Sequence, residues 1–143
     1  ELQGAALRLY RGGKDESTFG PFLEVEHNVF DKVGFGSKNK YGSAISLYGV
    51  QETDIKNNIF IDSKAIEMHL VVGEPIVKVR NNALSNSEKL IVTGNQKYFV
   101  ENQWNLKADF SDDVSYFLKA DSPLKGKATD GSDLGILPNK NNE

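Results

Sequence analysis

At 143 residues, with 38% hydrophobic and 26% charged residues, the chain has the composition of one globular domain and too much apolar content for a disordered one. A net charge of −3 without a Lys/Arg cluster gives no footprint for nucleic acid, and no apolar run approaches the roughly 18 residues of a membrane helix. The lack of cysteine excludes disulfides and thiolate metal sites but leaves secretion open, and the start at Glu1 fits a processed chain or a piece of a longer polypeptide.

Two strand columns emerge along the chain. The first is LRLY (Leu7 to Tyr10), ISLY (Ile45 to Tyr48), IEMH (Ile66 to His69) and LIVT (Leu90 to Thr93). Its period of two turns Leu7, Leu9, Ile45, Leu47, Ile66, Met68, Leu90 and Val92 inward. The outward face then carries Arg8, Tyr10, Ser46, Tyr48, Glu67, His69, Ile91 and Thr93.

The second column is FLEVEHNVFDKV (Phe22 to Val33), DIKNNIFIDS (Asp54 to Ser63), VKVRNNALSNS (Val77 to Ser87) and a weaker copy, YFVENQWNL (Tyr98 to Leu106). Aligned on Asn28, Asn58, Asn82 and Asn102, the copies step by 30, 24 and 20 residues, which reads as a solenoid. Val25, Ile55, Val79 and Phe99 precede the asparagines on the inward side, and Phe30, Phe60, Leu84 and Trp104 follow them. An Asn at each corner has a structural use, bonding the backbone of a tight turn and stacking on the next Asn about 4.8 Å away. The outward residues Glu24, Glu26, Asp54, Lys56, Lys78 and Arg80 form a solvated wall, with Glu26 expected near Lys56 and Asp54 near Lys78.

The connectors are rich in turn residues. In the loop from Arg11 to Pro21, Arg11, Asp15 and Glu16 are expected to form a structural clasp, because acidic and hydroxyl groups beside glycine favour self-bonded turns. After Trp104 the periodicity fades into a Pro/Gly-punctuated tail. Asp130 and Asp133 superficially suggest a calcium loop, but the alternate ligands and closing Glu are missing, so turn capping is expected.

The expected fold is all-β: a right-handed parallel β-helix of about four to five coils with an irregular C-terminal cap. Residues 1–143 form a single domain, with coils over 1–106 and the last irregular coil and cap over 107–143. An antiparallel β-sandwich and an all-helical solenoid are the weaker alternatives, the latter because no long segment keeps a 3.6-residue period.

The candidate binding face is Arg8, Tyr10, Tyr48 and His69: aromatic rings offer platforms to sugars, while Arg and His hold carboxylates or hydroxyls. Ordinary strand residues half covered by a neighbour are the alternative reading of that face. With only two histidines, His27 and His69, no metal-ligand pair is evident, and no nucleophile elbow, phosphate loop or dinucleotide fingerprint occurs.

The runs YRGGKDESTFGPFLEVEHNVF, ISLYGVQETDIKNNIFIDS and ADSPLKGKATDGSDLG resemble the C-terminal part of polysaccharide lyase family 6, the alginate lyase and chondroitinase B type. The resemblance covers most of the chain. It implies a bacterial β-helix enzyme, secreted or periplasmic, that cleaves acidic polysaccharide by β-elimination with calcium, a Lys base and an Arg acid. Those groups belong to the family's N-terminal β-helix and no stretch here matches them, so no catalytic residue and no cofactor is carried over. The implied role is a C-terminal module that supports the catalytic domain and substrate cleft. The implied partners are an acidic, alginate-like polysaccharide, the N-terminal catalytic β-helix and, for dimerisation, a second copy. The alternative function is a stand-alone binding module for anionic polysaccharide.

Overall fold

The computed structural model describes residues 5–10, 22–34, 42–49, 52–70, 76–88, 91–94 and 98–138. The described residues are all-β, and their strands lie in two sheets whose ladders run parallel throughout. The first sheet has the order β1 (Leu7–Tyr10), β4 (Ile45–Tyr48), β7 (Ile66–Leu70), β9 (Ile91–Gly94). The second stacks β2 (Phe22–Glu26), β5 (Glu52–Lys56), β8 (Ile76–Ser85) and β10 (Phe99–Trp104), while β6 (Ile59–Ile61) pairs with the second half of β8 and β3 (Val29–Asp31) pairs with β6. The chain thus visits the first sheet and then the second, and repeats the circuit one strand further along.

In the first sheet the register is the one the alternation predicts, Leu9 against Leu47 against Met68 against Val92. Ile45, Leu47, Ile66 and Met68 are buried between the sheets with Ile55, Val77 and Val79. Phe30 and Phe60 stack inside, with ring centroids 4.9 Å apart and an interplanar angle of 8°. Burial of each large side chain contributes about 1.5–3 kcal/mol. Thr53 lies in the same interior, in register with Leu23 and Val77, and its hydroxyl has no hydrogen-bond partner among the described residues.

The corner asparagines form a directional ladder. The Asn28 backbone N–H donates to Asn58 Oδ1 at 3.0 Å, and the Asn58 N–H donates to Asn82 Oδ1 at 3.0 Å. Their amide groups donate back to strand carbonyls, Asn58 Nδ2 to Lys56 and Val25, Asn82 Nδ2 to Ile55 and Arg80. Asn58 and Asn82 are buried, so these bonds satisfy groups that water does not reach. The residues just before them, His27, Asn57 and Asn81, adopt left-handed φ of 54°, 61° and 51°, where Asn is among the better-tolerated side chains.

Asn102 does not continue this ladder. Gln103, not Asn102, is in register with Asn82, and Asn102 (φ 45°) instead bonds Asn81 Oδ1 in the left-handed column. The fourth copy is displaced by one residue from the expected alignment, and such a displacement exchanges the two faces of a strand. Phe99, expected inward, pairs with Lys78 on the outer face and is 59% exposed, and Trp104 pairs with Ala83 rather than following Leu84.

A second corner, with no asparagine column to mark it, has its own ladder. Lys32, Asp62 and Asn86 take φ of 55°, 44° and 48°. Beside them the Val33 N–H donates to Ser63 Oγ and the Ser63 N–H to Ser87 Oγ.

The tail runs along the side of the strand stack rather than only closing its end. Leu124 and Leu134 are fully buried with Ile59 and Ala83, so the outer face of β6 and β8 is a second core. Thr129, Lys127 and Gly135 bond the left-handed corner column through Asn57, Asn81 and His27. Gly135 has φ +71°, and a Cβ there would lie 2.8 Å from Ile59 Cδ1.

Candidate functional site

On the first sheet the outward residues fall into two rows. One row is Arg8, Ser46, Glu67 and Ile91; the other is Tyr10, Tyr48, His69 and Thr93. The parallel register, with its fixed interstrand spacing, thereby brings together the four residues singled out from sequence, Arg8, Tyr10, Tyr48 and His69.

The rings stack on one another. Tyr10 and Tyr48 have centroids 5.1 Å apart at 26°, and Tyr48 and His69 lie 5.7 Å apart at 38°. Their faces therefore turn toward neighbouring strands, so the surface offers ring edges and phenol hydroxyls where flat platforms were expected. Tyr10, at the edge of the row, is 63% exposed.

His69 is held at both nitrogens. Nε2 lies 3.2 Å from Glu67 Oε1 and Nδ1 lies 2.6 Å from Thr93 Oγ1. An ionised carboxylate only accepts, so in the neutral ring Nε2 carries the proton and Nδ1 accepts the Thr93 hydroxyl. Glu67 faces outward yet is buried, with Ser43 Oγ at 3.2 Å and Lys64 Nζ at 3.8 Å from Oε2. The sequence reading put Glu67 on this face without singling it out. Its signal was the Glu-x-His spacing, which places an acid beside a histidine on the same side of a strand.

The second sheet carries the charged wall. Lys56 Nζ reaches Glu24 at 2.5 Å, Glu26 at 3.2 Å and Asp54 at 3.6 Å. Arg80 clamps Asp54 bidentately at 3.0 and 2.6 Å. Burial acts to raise the Asp54 pKa, but the hydrogen bonds and charge of Arg80, with Lys56 and Lys78, together hold it below the ordinary value.

The Asn28, Asn58 and Asn82 amides are engaged with one another and with strand backbone at the corner, while Arg11, Asp15 and Glu16 lie outside the described residues. Asp130 caps a turn by accepting from the Ser132 N–H and hydroxyl, and Asp133 accepts from the Gly126 N–H and pairs with Lys125. Among the described residues no three His, Asp or Glu side chains are grouped to hold a metal ion. No helix among them is long and apolar enough to cross a membrane. No protein-family model matches the chain, and no curated protein matches it.

Proposed function

We propose that this chain is a right-handed parallel β-helix module of about four to five coils, from the C-terminal part of a polysaccharide lyase resembling the alginate lyases of family 6. In this reading it supports an N-terminal catalytic β-helix, walls one end of the cleft that holds an acidic polysaccharide, and works outside the cytoplasm, secreted or in the periplasm of a bacterium. Calcium and the elimination chemistry belong to the catalytic domain. The observation that carries the reading is the same-sense stacking of equivalent strands with an amide ladder at the corner, which suits a continuous stack of coils. The Arg8, Tyr10, Tyr48 and His69 rows are the surface assigned to the polysaccharide, through phenol hydroxyls and cationic groups.

Incubation of the 143-residue chain with alginate and calcium tests this reading by the ultraviolet absorbance of the unsaturated product. No turnover is expected, and robust calcium-dependent turnover overturns the module assignment. The exposure of Tyr10 favours one second reading, a stand-alone binder of anionic polysaccharide. A firm oligosaccharide affinity abolished by Tyr48→Ala supports the binder; absent or unchanged binding leaves the scaffold.

A further inference from the structure

On the outer face of the second sheet, four strands align two rows: Glu24, Asp54, Lys78, Phe99 and Glu26, Lys56, Arg80, Glu101. Most of these charges are already matched. Asp54 is held by Arg80 and Lys56, and Lys56 also holds Glu24 and Glu26. Lys78 is different: it is exposed and has no ion-pair or hydrogen-bond partner among the described residues. Across the ladder it lies between Asp54 and Phe99, and Phe99 is an apolar ring 59% exposed on a face that also carries the exposed Phe22 and Ile76 beside its charges.

Lys78, Arg80, Phe99 and Glu101 line a depression of about 260 Å3. That is smaller than the roughly 300–1,000 Å3 of pockets for drug-sized ligands, so it suits one ring. An aromatic face, an ammonium that makes no hydrogen bond among the described residues and a flanking carboxylate are the groups an acidic pyranose uses. Its C–H face packs on the ring, its carboxylate meets the ammonium, and its hydroxyls donate to the carboxylate.

We propose that this depression is a second saccharide subsite, for a single hexuronate residue, on the sheet opposite the Tyr10 and Tyr48 rows. Phe99 supplies the platform, Lys78 the counter-charge and Glu101 the hydroxyl acceptor. Arg80 stays engaged with Asp54 and fixes the floor.

The test is a backbone amide NMR titration of the whole chain with a mannuronate tetrasaccharide, and with cellotetraose as the neutral control. Saturable shifts are expected at residues 78, 80 and 99–101 with the acidic sugar. Phe99→Ala should weaken them by up to about tenfold. Lys78→Gln should weaken the acidic sugar by about threefold and leave the neutral one unchanged. Both side chains are exposed, so the melting temperature of each variant should stay near that of the parent. Tyr48→Ala, on the other sheet, should leave these shifts in place. Absence of shifts at 78–101, or equal affinity in Phe99→Ala, overturns the subsite; equal binding of cellotetraose overturns its acidic specificity. Neither result bears on the module reading, which the turnover assay decides.

Discussion

Asn57 and Thr129 exchange two hydrogen bonds across 72 residues of sequence: the Thr129 N–H donates to Asn57 Oδ1 at 2.9 Å, and Asn57 Nδ2 donates to Thr129 Oγ1 at 3.0 Å. The Asn57 carbonyl also accepts the Gly135 N–H at 2.8 Å, so one left-handed corner residue anchors the tail at Thr129 and Gly135, on either side of the buried Leu134.

Asn57→Ala should lower stability by about 3 kcal/mol, from the lost bonds plus the strain of Ala at positive φ. Asn57→Gly removes the strain and should be about 1 kcal/mol less harmful. Urea unfolding gives both values, and hydrogen exchange should show faster exchange over residues 122–135 in each. An Asn57→Gly variant less stable than Asn57→Ala contradicts the assigned strain.

Asn58 and Asn102, which share one column in the sequence pattern, should separate by experiment. Asn58→Ala leaves the Asn28 N–H and the Val25 and Lys56 carbonyls without their partner in a buried corner, an expected loss of about 2–4 kcal/mol. Asn102→Ala removes one exposed bond of 3.4 Å and should lose no more than about 1 kcal/mol, chiefly from its left-handed φ. Comparable losses in thermal melts would contradict the shifted register.

Thr53→Val should stabilise the fold. The hydroxyl is buried between Leu23 and Val77 without a partner among the described residues, and a methyl of similar size removes its desolvation penalty, worth about 1 kcal/mol. A higher urea midpoint is expected; a lower one would mean that the hydroxyl has a partner in solution.

Acid should weaken the second sheet through Asp54. Its folded pKa is depressed, so its contribution is present above the ordinary value of 3.8 and is lost as pH falls through the folded value. Arg80→Gln removes the main lowering influence and leaves burial, so the Asp54 pKa should move upward in a carboxyl NMR titration. Asp112 provides an internal comparison. The Ser115 hydroxyl and the Ser115 and Val114 N–H groups hold it down to about 2, and Ser115→Ala should raise that midpoint while Asp54 stays unchanged.

The sequence by itself determined which side chains of the first three repeats face in and which face out. Alternation is a property of the extended backbone, so Leu9, Leu47 and Met68 had to share one side and Tyr10, Tyr48 and His69 the other. The Asn28, Asn58 and Asn82 corners were legible for the same reason, and the serine ladder of Ser63 and Ser87 was equally present at a fixed offset after Asn58 and Asn82. The fourth repeat was different. Phe99 and Val100 are both apolar and Glu101, Asn102 and Gln103 all polar, so a slip of one residue leaves the pattern intact, and only pairing with β8 set the register. Tertiary structure also decided what no local pattern encodes. It laid the aperiodic tail along β6 and β8, turned the tyrosine faces toward each other, and brought Thr93 to His69 across 24 residues. Each of these depends on which strands become neighbours, and that is settled when the apolar faces are buried together rather than within any one strand.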